Sequence, residues 1–122
     1  MGLQKQYRVK TEKDYQAVFR QGKSFANRQF VIYVLKKAGQ SHYRVGLSVS
    51  KKLGNAVTRN RIKRYMRDCI RFFNDQLQDD VDIVLIARKP VVSLSLDQLT
   101  HNMEHALSLA HVLKDKKGMN QL

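Results

Sequence analysis

The side chains with the clearest chemical use in this sequence are the cations between positions 51 and 71. This stretch carries eight Lys or Arg side chains and one carboxylate, Asp68. On an α-helix, which turns by about 100° per residue, Arg59, Lys63 and Arg67 follow one another along the same face. Like charges at this spacing repel one another, and a bound polyphosphate would neutralise them. The segment therefore predicts a surface for nucleic acid.

Five of these eight cations are arginines, whose planar guanidinium groups suit bidentate contacts with phosphate. The predicted polar face of the helix contains Arg59, Asn60, Arg61, Lys63, Arg64, Arg67 and Arg71. The opposite, apolar face would pack on a sheet, and it contains Ile62, Tyr65, Met66, Cys69, Phe72 and Phe73. A merely solvated charged face is the alternative, although such faces usually mix the two signs of charge.

Two further groups have residue types that could carry chemistry. Residues 101–105 match H-x-x-E-H, a zinc-protease pattern. On a helix both histidines lie opposite the apolar stripe of Met103 and Leu107, so we expect them in solvent and expect no metal site. Cys69 falls on an apolar face and is expected as a buried thiol. Because it is the only cysteine, no internal disulfide can form, and the cytoplasm is the expected compartment.

The whole chain is strongly basic, and its charge is unevenly distributed. Its 122 residues carry 23 Lys and Arg against 10 Asp and Glu, a net charge of +13 with a pI near 10.2. The excess lies before residue 72. Such a field attracts a polyanion, for which nucleic acid is the leading candidate. An anionic membrane surface and a generally basic, soluble face are the alternatives. No apolar run approaches the ~20 residues of a membrane span, so we expect no membrane role.

Hydrophobic periodicity predicts seven elements in a single domain over residues 1–122. Helices are predicted over 12–21, from 55–58 to about 77, and from Ser95 onward, whereas strands are predicted over 29–36, 43–50 and 81–87, with a weaker one near 24–26. The order α-β-β-β-α-β-α predicts an α+β fold, with one mixed sheet packed by helices.

The strand predicted over 29–36 is apolar on both faces, so only one of them can pack on the core. Tyr33 lies on the second face, where the first helix could flank it with Tyr15 and Phe19. The residues alone favour plain core for these three rings. The alternative is a groove, because aromatic platforms beside cations suit single-stranded nucleic acid.

Four sequence blocks, in this order, resemble the bacterial ribonuclease P protein family. They are Ala26-Asn27-Arg28-Gln29-Phe30-Val31, then Val45-Gly46-Leu47-Ser48-Val49-Ser50-Lys51-Lys52, then Gly54-Asn55-Ala56-Val57-Thr58-Arg59-Asn60-Arg61-Ile62-Lys63-Arg64, and finally Ile86-Ala87-Arg88-Lys89-Pro90. The third block contains the Arg-Asn-Arg motif of that family. The resemblance covers most of residues 7–113.

The resemblance implies that the chain is a subunit of an RNA-catalysed endoribonuclease. The RNA subunit would hold most of the Mg²⁺ ions and cut the 5′ leader from precursor tRNA, and the protein alone would not be catalytic. The expected partners are the catalytic RNA and the leader-bearing precursor tRNA, with no protein partner required. The family fold also implies a left-handed βαβ crossover, an ordered core over about 7–114 and a flexible C-terminal tail.

The resemblance also implies two sets of binding residues. The RNA-binding set is Lys51, Lys52, Arg59, Asn60, Arg61, Lys63, Arg64, Arg67 and Arg71. The leader-binding cleft is Tyr15, Phe19, Val31, Tyr33 and Ser48.

Two other functions remain open at the level of sequence. A general RNA-binding or ribosomal protein would explain the charge but not the ordered blocks. A protein nuclease would need acid–base or metal-binding groups in the basic region, and residues 51–71 contain no His or Glu.

Overall fold

The computed structural model of the chain describes residues 4–114. The flexible tail predicted after residue 114 lies outside the described residues. The helices and strands are α1 (Glu12–Gln21), β1 (Lys23–Ala26), β2 (Phe30–Lys36), β3 (Arg44–Ser48), α2 (Ala56–Phe72), β4 (Val81–Ala87) and α3 (Leu96–Leu109). The predicted order of elements is confirmed, including the short first strand.

Each helix begins at a side chain that accepts a hydrogen bond from a backbone N–H group left unpaired by the first turn. Thr11 caps α1, and Asn55 caps α2. Ser95 and Gln98 form a capping box at the start of α3, where the sequence predicts that helix to begin. The local sequence therefore sets where all three helices start.

The four strands form one mixed sheet in the order β1-β2-β4-β3. β2 is antiparallel to both of its neighbours, whereas β3 and β4 are parallel. The chain passes from β3 to β4 through α2, which makes this connection the βαβ crossover whose left hand the family resemblance implies. β4 is buried on both faces because it lies between two strands and beneath helices, which agrees with the apolar run over residues 83–87.

The main core lies between one face of the sheet and the helices α2 and α3. Its largest fully buried members are Phe30, Phe73, Ile32, Ile62, Met66, Ile70, Leu77, Ile83, Leu85, Leu99, Met103 and Leu107. α1 packs on the opposite face, where Val18 and Val84 are fully buried outside that core. The second face of the sheet is therefore covered only in part.

The prediction for the end of the long helix was wrong in two respects. α2 ends at Phe72 rather than near Leu77, and a short 3₁₀ turn follows it. Phe72 was assigned to the apolar face but is 68% exposed, whereas Ile70 is fully buried. The packing of α2 against β3 and α3 decides which side of the helix is buried. That side includes Ile70, which the hydrophobic pattern did not place on it, and leaves out Phe72.

Candidate nucleic-acid interface

The second face of the sheet presents two neighbouring rows of side chains. In one row Tyr33 pairs with Val84, and Val84 pairs with Gly46. This row lies beneath α1, and both Val84 and Gly46 are buried. The α1 helix thus covers the middle of the face.

The neighbouring row is more open, and it contains two of the predicted cleft residues. Val31 pairs with Ile86, and Ile86 pairs with Ser48. Val31 and Ile86 are half-buried, and Ser48 is exposed. This part of the sheet beside α1 is therefore partly open to solvent.

Aromatic rings line the edge of α1 above the sheet. The Phe19 ring meets the Tyr33 ring edge to face, with centroids 5.0 Å apart, and it lies 6.5 Å from the Tyr15 ring. Phe19 is 38% exposed, and the other two rings are half-buried. Burial raises the pKa of the Tyr15 hydroxyl above its usual value. The structure therefore brings together the three aromatic residues of the predicted cleft.

A cleft of about 330 Å³ joins this aromatic edge to the cationic helix. It opens between α1, the edge strand β3 and α2, and it is lined by Arg8, Val9, Tyr15, Val45, Gly46, Leu47, Lys63 and Arg67. Tyr15 thus shares one cavity with two of the predicted RNA-binding cations. This juxtaposition is suited to an extended polyanion, since the ring offers a stacking surface and the cations meet phosphates.

Sequence reasoning missed the segment that closes the cleft on its outer side. The Val9 N–H donates to the Val45 carbonyl at 3.1 Å, and the backbone of Arg8 forms an isolated parallel β-bridge with the same residue of β3. These residues fall outside every element that periodicity predicts, so no pattern marked them as part of a site.

The predicted polar face of α2 divides into groups with different neighbours. Lys63 and Arg67 are half-buried at the cleft, whereas Asn60, Arg64 and Arg71 are exposed. The remaining two arginines each donate to a backbone carbonyl: Arg59 Nε to Gly54 at 3.2 Å, and Arg61 Nη2 to Val92 at 2.8 Å. Lys51 and Lys52 are exposed in a 3₁₀ turn just before α2.

A buried ion pair holds α1 against the sheet, and the sequence did not reveal it. Asp82 in β4 is 1% exposed and accepts hydrogen bonds from Arg44 Nε at 2.9 Å and Gln40 Nε2 at 3.2 Å. Arg44 Nη1 also donates to Asp14 of α1 at 3.3 Å. Burial by itself would raise the pKa of Asp82, but the hydrogen bonds and the positive charges of Arg44 and Lys37 hold it below its usual value.

The histidines and the cysteine lie away from the cleft. His101 and His105 are exposed, and residues 4–114 contain no group of three His, Cys, Asp or Glu side chains that could hold a metal ion. Cys69 is buried with its Sγ 3.0 Å from Thr100 Oγ1, and burial raises the pKa of the thiol. No helix in the described part of the chain is long and apolar enough to cross a membrane.

Comparison with known proteins tests whether the four sequence blocks reflect membership of the bacterial ribonuclease P protein family. The model of the family described as ribonuclease P matches residues 3–111. The chain belongs to the ribonuclease P protein family. A general RNA-binding or ribosomal protein therefore no longer needs to be invoked to explain the charge.

Relatives and solved structures of this family match almost the whole chain. The ribonuclease P protein component of Listeria welshimeri is 50% identical over 114 residues, covering 93% of this chain and 96% of the relative. That of Streptococcus pyogenes is 54% identical over 112 residues, covering 92% of each. The structure of the Staphylococcus aureus RNase P protein superposes with a TM-score of 0.83 at 42% identity, covering 88% of this chain and 98% of that one.

Membership of the ribonuclease P family implies a subunit of an endoribonuclease that acts in tRNA processing, with the ribonuclease P RNA as its partner. The α+β fold with a mixed four-stranded sheet agrees with the solved structures of the family.

Proposed function

We propose that this chain binds the catalytic RNA of ribonuclease P through α2 and the 5′ leader of precursor tRNA through the cleft beside α1. In this arrangement it promotes Mg²⁺-dependent removal of the leader in the cytoplasm, and it forms the mature 5′ end only together with the RNA. No other protein is required.

The observation that carries the proposal is the position of Tyr15 in the same cleft as Lys63 and Arg67. A single strand that enters this cleft can stack a base on a ring while its phosphates meet ammonium and guanidinium groups. Stacking of this kind contributes ~1–3 kcal/mol per base and tolerates any base, as a leader of varied sequence requires. Val31 and Ser48 lie outside this cleft, in the partly exposed row next to that of Tyr33 and Gly46, and we propose that the strand continues over this row.

The donor set of this interface does not fit a Mg²⁺ ion, which prefers carboxylate and other oxygen ligands. The cleft is lined by cations and apolar side chains, with no Asp or Glu among its lining residues. On α2 the carboxylate of Asp68 accepts a hydrogen bond from Arg71. We therefore assign most of the Mg²⁺ binding to the RNA subunit and the substrate, and to the protein the neutralisation of phosphates around them.

The cleft also lacks the groups that a protein nuclease would use. Its lining offers no His, Asp or Glu to take or give a proton. The protein's contribution to the reaction is accordingly binding and orientation of the two RNAs.

The deciding experiment is single-turnover cleavage of a leader-bearing precursor tRNA by a bacterial ribonuclease P RNA at low Mg²⁺. The reaction is run with and without the full chain, and the chain without RNA serves as the control. We expect accurate 5′ cleavage to be rescued by the chain, which is inert alone. Binding of RNA without rescue of 5′ cleavage would refute the proposal. Cleavage by the protein alone would instead support a protein nuclease.

A further inference from the structure

A second aromatic surface lies on α2, on a different side of the helix from Lys63 and Arg67. Phe72 is the most exposed aromatic side chain in residues 4–114. Its ring meets the buried ring of Phe73 edge to face, with centroids 5.0 Å apart and an interplanar angle of 84°. This contact restricts the orientation of a ring that otherwise projects into solvent.

Tyr65 lies two turns before Phe72 on the same side of α2. It is half-buried against the core, and the guanidinium carbon of Arg64 lies 5.7 Å from the centre of its ring. With a rise of about 1.5 Å per residue, the two rings are separated by ~10 Å along the helix axis. One ring is thus held by a neighbouring ring and the other by the core and a cation.

The charges that α2 itself carries on this side are predominantly positive. Arg61, Arg64 and Arg71 lie on or beside this side of the helix, and Arg71 forms an ion pair with Asp68, which is also on α2. A purely apolar partner would leave the charges of Arg61 and Arg64, which form no ion pair within residues 4–114, without compensation. Unpaired RNA would match both the rings and the positive charges, because its bases stack on aromatic rings while its phosphates accept hydrogen bonds from arginine.

We propose that Phe72 and Tyr65 form a stacking surface for unpaired bases of the catalytic RNA. The surface is separate from the cleft and takes RNA rather than the leader. This inference rests on the proposed function, since it requires the chain to bind the catalytic RNA.

The chain contains no Trp, so Phe72→Trp introduces a single indole at the proposed contact. The full-length variant is titrated with ribonuclease P RNA in the absence of precursor tRNA, and binding is followed in parallel by gel shift. We expect the indole emission to be quenched as RNA binds, with an affinity close to that of wild type. Ser24→Trp is the matched control, because Ser24 is exposed on β1 at the opposite edge of the sheet from β3. Its emission should change little.

Phe72→Ala should raise the dissociation constant for the catalytic RNA by about fivefold or more. The salt dependence of binding should be unchanged because no charge is removed. Its thermal unfolding should match wild type, since most of the side chain is in solvent.

An unchanged dissociation constant for Phe72→Ala, or an unquenched indole in Phe72→Trp while RNA binds, would overturn the inference. Altered self-association of Phe72→Ala without a change in RNA affinity would also overturn it, because Phe72 would then contact a second copy of the chain. A wild-type chain that fails to bind the catalytic RNA would refute the proposed function itself.

Discussion

The Tyr15 ring lies directly over Gly46. A Cβ atom at position 46 would be 2.6 Å from both Cε1 and Oη of Tyr15, far inside van der Waals contact. The absence of a side chain on this residue of β3 therefore lets the ring rest on the strand and form a wall of the cleft.

Gly46→Ala should displace Tyr15 and weaken both folding and leader binding. We expect the free energy of unfolding, measured by urea denaturation, to fall by about 1–3 kcal/mol, as it does at other overpacked sites. The affinity for leader-bearing precursor tRNA should fall more than that for mature tRNA. The control is a double-mutant cycle with Tyr15→Ala, in which Gly46→Ala should cost little more once the ring is gone. Additive losses would show that Gly46 acts independently of Tyr15.

Tyr33→Ala should reduce the affinity for precursor tRNA with a leader but not for mature tRNA. The expected loss is about 5- to 150-fold, the range for one stacked base, measured by equilibrium binding to the reconstituted holoenzyme. Tyr33→Phe keeps the ring and its edge contact with Phe19 and should retain most of the affinity. Equal losses for precursor and mature tRNA would make the ring a purely structural element.

Lys63→Ala and Arg59→Ala should weaken holoenzyme cleavage most at low Mg²⁺, where protein cations are needed to neutralise phosphate. Lys63 lines the cleft. For Lys63→Ala we therefore also expect the slope of the logarithm of the binding constant against the logarithm of the salt concentration to fall in magnitude by about one. Lys36→Ala, at the end of β2, removes the same charge away from the cleft and is the control. Activity equal to wild type throughout a Mg²⁺ titration would contradict this assignment.

Arg44→Met should destabilise the fold because it leaves the Asp82 carboxylate buried without its strongest partner. Removing one partner of a buried pair typically costs about 3–5 kcal/mol. The pKa of Asp82 is lowered in the folded protein, so its contribution is complete above the usual carboxyl pKa and is lost as the pH falls through the lowered one. The free energy of unfolding should therefore fall more steeply in acid for wild type than for Arg44→Met. If urea denaturation gives parallel pH profiles of the free energy of unfolding for wild type and Arg44→Met, groups other than Asp82 cause the loss of stability in acid.

Local features of the sequence predicted most of the fold. Capping side chains such as Asn55 and Ser95 act within one turn of the helices that they begin, so their effect is visible without any tertiary contact. The burial of β4 also agrees with the apolar run over its residues 83–87. The predicted helix end near Leu77 was wrong because the packing of Phe73 and Leu77 into the core, rather than helix propensity, ends α2 at Phe72.

What the sequence determined by itself was the order of the elements and the concentration of cations on one helix, since both depend on spacing along the chain. Only the tertiary structure decided that Tyr15 and Lys63 line one cleft, that Arg44 pairs with Asp82, and that Phe72 faces solvent. These relationships join residues on different elements, or depend on which arc of a helix is covered. Strand pairing and helix packing set them, and no local pattern encodes either.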